Sequence, residues 1–76
     1  MINISEIIIL SVDKNDDSWA IEGEIIFESD LPTAFSVTYF IAEDEFEDLE
    51  IEHIPGKYDA KLLKEMILSA SKEYEE

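Results

Sequence analysis

No cysteine and no arginine occur in these 76 residues, and glycine and proline appear only twice each. Without thiols, neither a disulfide framework nor a thiolate metal centre can form, which fits a reducing compartment. Gly23 and Gly56 stand too far apart to build a phosphate-cradling loop. Five lysines are the only bases besides His53. Phosphate backbones need cations and anionic lipid repels acid, so neither direct nucleic-acid binding nor membrane binding is expected. Long apolar runs are missing as well. The longest, Ile7-Ile8-Ile9-Leu10, is too short for a membrane span or a signal-peptide core, and Met1 to Glu6 carries no basic stretch. The expected setting is cytoplasmic.

Acid is what the chain has in excess. The formal net charge is −15, and residues 15–56 hold thirteen Asp and Glu with no Lys or Arg. The densest part is Glu43-Asp44-Glu45-Phe46-Glu47-Asp48-Leu49-Glu50-Ile51-Glu52, seven carboxylates in ten residues. Residues 1–56 sum to −14 and residues 57–76 to −1, so the two parts present different surfaces. Apolar residues make up 46%, with eight aromatics, too many for a disordered acidic chain. The length suits one domain over residues 1–76.

The apolar pattern shows a sheet. A β-branched stretch from about Ile4 to Val12 ends at the turn cluster Asp13 to Ser18. From Trp19 to Glu28 the period is two: Trp19, Ile21, Gly23, Ile25 and Phe27 on one face, Ala20, Glu22, Glu24, Ile26 and Glu28 on the other. Ser29 to Thr33 reads as a turn. A third strand, Ala34 to Ala42, sets Phe35, Val37, Tyr39 and Ile41 against Ser36, Thr38 and Phe40. After a tight turn at Glu43-Asp44-Glu45, a fourth strand alternates Leu49, Ile51 and His53 with Asp48, Glu50 and Glu52. Phe46 is out of phase with that strand, so a bulge or a late start is expected. Pro55-Gly56 ends it.

Then the period lengthens. Leu62, Leu63, Met66, Ile67, Ala70 and Tyr74 recur at three and four residues, one face of a helix, with Asp59 as N-cap. Lys61, Lys64, Glu65, Ser69 and Lys72 fall outside. The expected fold is α+β: a small antiparallel meander of three or four strands over about 4–54, with one C-terminal helix over about 59–75 packed on one face.

This geometry gathers the acid on the face away from the helix. Glu22, Glu24 and Glu28 of the second strand and Asp48, Glu50 and Glu52 of the fourth flank a neutral third strand. Glu43, Asp44, Glu45 and Glu47 extend the field, and Ile26 and Phe40 would supply apolar contact at its centre. A charged rim around an apolar centre suits a protein interface, and uniform negative sign steers a basic partner. The charge exceeds the magnitude of about 2–8 that keeps a small domain soluble. The competing explanation is that acid serves only solubility and guards a sheet edge.

The first strand is apolar on both sides. As an edge strand it would need cover, which points to a homodimer or another contact through it; alternatively it sits centrally in the sheet.

Catalytic and metal chemistry find little footing. Asp13, Asn15, Asp17 and Glu24 have calcium-loop spacing, but Ser18 replaces the turn glycine and Glu24 falls inside a strand. The acidic run itself would hold divalent cations weakly at best. His53 is the only histidine and reads as a half-buried structural residue; no second His or Cys is present to share a metal. Paired carboxylates act as catalysts across a cleft, which so short a chain has little room to build. Trp19, Phe35 and Tyr39 point inward, as core and not as a base-stacking platform. The expectation is a non-catalytic protein without cofactor or metal that binds a basic protein, as an inhibitor or a nucleic-acid mimic. The alternatives are a self-associating structural subunit whose acidity serves solubility, and a weak divalent-cation binder.

Overall fold

The structure, a computed structural model of the chain, describes residues 1–28 and 31–74. It contains strands β1 (Ile4–Lys14), β2 (Ser18–Phe27), β3 (Thr33–Phe40) and β4 (Glu45–Ile51), then helix α1 (Ala60–Glu73). The four strands form one antiparallel sheet in the order β1-β2-β3-β4, the expected meander, with β1 at an edge. Part of the turn expected at Ser29 to Thr33, and the helix end expected near Glu75, lie outside the described residues.

Alternation in β2 and β3 drives the packing. Ile21, Ile25, Phe27, Phe35, Val37 and Tyr39 are buried on the face that takes the helix, where they meet Leu63 and Ile67. Each such side chain contributes about 1.5–3 kcal/mol by leaving water. Register holds three rings in a row: Trp19 pairs with Tyr39 and Tyr39 with Phe46, with centroids 5.7 and 4.8 Å apart. Lys14, opposite Trp19, places its ammonium 4.8 Å from the Trp19 ring centroid. This cation–π contact keeps the lysine on the inner side of the sheet.

Bulges decide what alternation alone leaves open. In β1, Ile9 pairs with Gly23 and Ser11 with Glu22, which leaves Leu10 as an extra residue. The phase flips there, so Val12 joins the core although strict period two from Ile7 and Ile9 would turn it outward. The same approach of β1 explains Gly23. A Cβ there would overlap the Ile8 carbonyl oxygen and stand 3.0 Å from Phe35 Cε1. The glycine therefore makes room for a backbone carbonyl and the Phe35 ring.

In β4, Thr38 pairs with Glu47 and Ser36 with Glu50, so Asp48 and Leu49 together oppose Val37. Asp48 takes φ 55°, the left-handed conformation an Asp tolerates better than a branched residue. The bulge reconciles Phe46, Leu49 and Ile51, all of which reach the core side.

Some expectations need correcting. β4 ends at Ile51, short of 54, and His53 is exposed, not half-buried. It has left the ladder: its backbone N–H donates to Thr33 Oγ1 at 2.9 Å. Ile41 lies in the loop after β3 and is 40% exposed, so the inward phase stops at Tyr39. On α1, Leu62 is 43% exposed, while Leu63, Ile67 and Ser71 form the buried line at i+4 spacing. Ser71 was invisible as a core position because it is polar. Its hydroxyl donates to the Ile67 carbonyl at 2.7 Å, which satisfies it inside the helix. Asp59 caps the start as expected, with Oδ1 accepting from the N–H groups of Lys61 and Leu62 at 3.1 and 3.2 Å.

Candidate protein-binding face

The sheet face away from α1 carries the acid. Cross-strand register sets Ser11, Glu22, Ser36 and Glu50 side by side in one row. The next row is Ile8, Glu24 and Ala34, with Glu52 alongside because its N–H donates to the Ala34 carbonyl at 2.9 Å. Toward the other end stand Asp13, Ala20, Thr38 and Glu47. Two lines of carboxylate thus run along β2 and β4 with β3 between them. Two strand spacings separate the lines, about 9.5 Å, and carboxylates along one strand repeat at about 6.8 Å.

Between the lines the surface dips. One depression is lined by Leu10, Glu22, Ala34, Ser36, Glu50 and Ile54. A second shares Glu22, Ser36 and Glu50 and adds Ala20, Thr38 and Asp48. A third, at the far end of β3, is bounded by Phe40, Glu43, Glu45 and Glu47. The floor is made of small side chains, so the trough exists because Ala20, Ala34, Ser36 and Thr38 are short and the flanking glutamates are long. Ala20, Ala34, Leu10 and Ile54 were not among the expected site residues. Their signal in the sequence is size and bulge position, which the charge pattern masks.

Glu22, Glu24, Glu50 and Glu52 stand where alternation put them. Glu45 and Glu47 belong to β4 and share the outer face, since the bulge reverses the phase on their side of Asp48. Asp48 is the bulge residue and still lines the trough. Glu43 sits in the loop beside Phe40.

Four residues do not join as expected. Asp44 ends the loop at φ 52°, and its Oδ1 accepts a 2.5 Å hydrogen bond from the Tyr39 hydroxyl, on the helix side. Glu28 lies just past the end of β2, where its carboxylate accepts from Asn3 Nδ2 at 2.8 Å. Ile26 and Phe40 do not form an apolar centre. Phe40 pairs with Ser18 and Ile26 with Glu6, which sets them eight residues apart along β2, about 27 Å. The floor between the carboxylate lines is small and neutral, and Ile26 and Phe40 stand at opposite ends of the face.

Among the described residues, no group of three or more His, Cys, Asp or Glu converges to hold a metal ion. No described helix is long and apolar enough to cross a membrane. No protein-family model matches the chain, and neither a curated protein nor a solved structure does.

Proposed function

We propose that this chain is a non-catalytic binding protein whose outer sheet face engages a basic protein surface, acting as an inhibitor or as a mimic of nucleic acid. The observation that carries the reading is the pair of carboxylate lines on β2 and β4, held at fixed spacing across the neutral strip of β3. Lys14, the one lysine of the sheet, lies over the Trp19 ring, and Lys61, Lys64 and Lys72 belong to the helix. β2, β3 and β4, the strands that form the trough, carry no lysine, so their charges are of one sign.

The mechanism has two stages. Negative potential first steers a cationic surface toward the sheet and raises the association rate. Lysine or arginine side chains then enter the trough, where each lies within reach of carboxylates from both lines. Phe40 at one end and Ile26 at the other supply apolar contact with the partner's flanks. The setting that fits a cysteine-free chain is the cytoplasm.

The test uses a defined probe: a synthetic peptide alternating lysine with a small residue, titrated by fluorescence anisotropy. Binding should weaken steeply as salt rises from about 0.05 to about 0.5 M, across the range where the Debye length shrinks well below 10 Å. Replacing Glu22, Glu24, Glu50 and Glu52 by Gln should slow association, and Glu65→Gln on the helix should leave it unchanged. Equal effects from the sheet and helix substitutions, or binding indifferent to salt, would defeat the reading.

A further inference from the structure

The two edges of the sheet are built differently. β4 is short, carries Glu45, Glu47, Asp48 and Glu50, and is kinked by its bulge. Charge and a bulge are devices that keep an edge from pairing. β1 has eleven residues, and from Ile7 to Val12 none of them is charged. Its irregularities lie at Ser5 and at Leu10, which leaves Ile7-Ile8-Ile9 as a regular stretch between them.

The backbone of that stretch is oriented. The Ile8 carbonyl faces β2, in the space a Gly23 side chain would need. Alternation along an antiparallel strand then turns the N–H and C=O groups of Ile7 and Ile9 outward, away from the sheet. Beyond Ile9 the edge is closed: the Tyr74 hydroxyl donates to the Leu10 carbonyl at 3.1 Å. Before Ile4 it is closed too, since the Ile2 N–H donates to the Lys57 carbonyl at 2.7 Å. Alongside the open part, α1 presents Met66, Ser69, Ala70 and Glu73 across a shallow depression from Ser5, Glu6 and Ile7. The helix flanks this edge without covering it.

We infer that β1 pairs antiparallel with β1 of a second copy, about a two-fold axis at Ile8, to give a continuous eight-stranded sheet. The stretch is self-complementary. With the axis at Ile8, Ile7 of each copy exchanges both backbone hydrogen bonds with Ile9 of the other, and Ile8 faces Ile8. Glu6 meets Leu10, which is 59% exposed in the single chain, so no charge meets a like charge along the pair. The sequence thus supplies both halves of the contact, which a foreign strand would have to bring with it.

Electrostatics also fits two copies at this edge. Glu6 and Asp13 of β1 face Leu10 and Asn3 of the second copy and not each other, and the lines of carboxylate on β2 would stand three strand spacings apart, about 14 Å. That is beyond the screening length of about 8–10 Å at physiological salt. Repulsion between copies of net charge −15 is therefore relieved by salt. Association should strengthen as salt rises, the opposite of the cationic-partner contact, so the two ideas fail separately.

Sedimentation velocity of the whole chain, from about 10 µM to about 1 mM, reads the association directly. The expected result is a monomer–dimer equilibrium that tightens between about 0.02 and about 0.5 M salt. Glu73→Gln and Glu6→Gln, which remove charge beside the edge, should tighten it further. Ile8→Lys sets two ammonium groups face to face at the axis and should weaken it at least about tenfold. Should that variant not fold, amide exchange in the unaltered chain decides: protection of the Ile7 and Ile9 N–H groups should rise with concentration. A monomer at every concentration and salt, or a dimer in which those two amides stay unprotected, overturns the inference.

Discussion

The Tyr39 hydroxyl donates to Asp44 Oδ1 at 2.5 Å, and this bond turns one carboxylate of the acidic run toward the helix side of the sheet. Asp44 ends the four-residue loop between β3 and β4 in the left-handed conformation, with its own N–H donating to the Ile41 carbonyl at 3.3 Å. The bond therefore ties the hairpin end to the Trp19–Tyr39–Phe46 row. Tyr39→Phe should cost about 1.5–3 kcal/mol, the net range for a hydrogen bond to a charged group, measured by urea unfolding. Asp44→Asn keeps an acceptor and the tolerance for positive φ, and should cost less than Asp44→Ala.

The same bond sets a pH dependence. The hydrogen bond to Asp44, then burial, then the Asp44 charge all raise the Tyr39 pKa above its ordinary 10.0. Below pH about 10 the phenol is protonated in both folded and unfolded chains, and its contribution to stability is complete. Above that, the unfolded chain ionises first, so stability falls as pH rises toward the folded pKa. A phenolate absorbance titration should show the Tyr39 step move down in Asp44→Ala. An unmoved step would remove the bond from the account.

Gly23 should be among the least replaceable positions. Its added Cβ meets the Ile8 carbonyl, a backbone atom that cannot swing aside. Gly23→Ala should destabilise by about 1–3 kcal/mol, the range for overpacked sites, and should disturb the β1–β2 pairing in the amide spectrum. Wild-type stability in Gly23→Ala would mean that β1 lies farther from β2 here than described.

Asp48 offers the opposite case. At φ 55° a glycine is conformationally cheaper than any L-residue. Asp48→Gly should hold or raise stability, by up to about 1 kcal/mol, and Asp48→Val should lower it by at least that much. Both substitutions remove the same charge, so the difference between them isolates the backbone.

The outer face should store self-repulsion. Glu22, Glu24, Glu47, Asp48, Glu50 and Glu52 share it without a lysine among them. Added salt should raise the melting temperature, and Glu50→Gln should do part of the same at low salt. A gain of about 1 kcal/mol corresponds to about 4–8 °C in a domain of this size. A melting temperature independent of salt would mean that the carboxylates are held too far apart to interact.

Local pattern alone was enough for the elements, their order and most of their faces. Period two in Trp19 to Phe27 and Phe35 to Tyr39, and the change to helical spacing at Leu63, are local, because side-chain direction follows from backbone geometry. Short turns then left the meander as the simplest topology, and the same periodicity placed Glu22, Glu24, Glu50 and Glu52 on one surface. What a single residue's pairing controls came only with the assembled sheet. The extra residues at Leu10 and Asp48 exist only relative to a partner strand, and each reverses the phase beyond it. Val12 was moved inward that way, and Glu47 was set beside Thr38 on the outer face. Separation across the sheet was equally out of reach: Ile26 and Phe40 share a face but lie at opposite ends of it, since register, not parity, fixes distance. Polar burial escaped for a third reason. Ser71 is polar, so the apolar periodicity passes over it, and its burial is set by how the helix packs on the sheet.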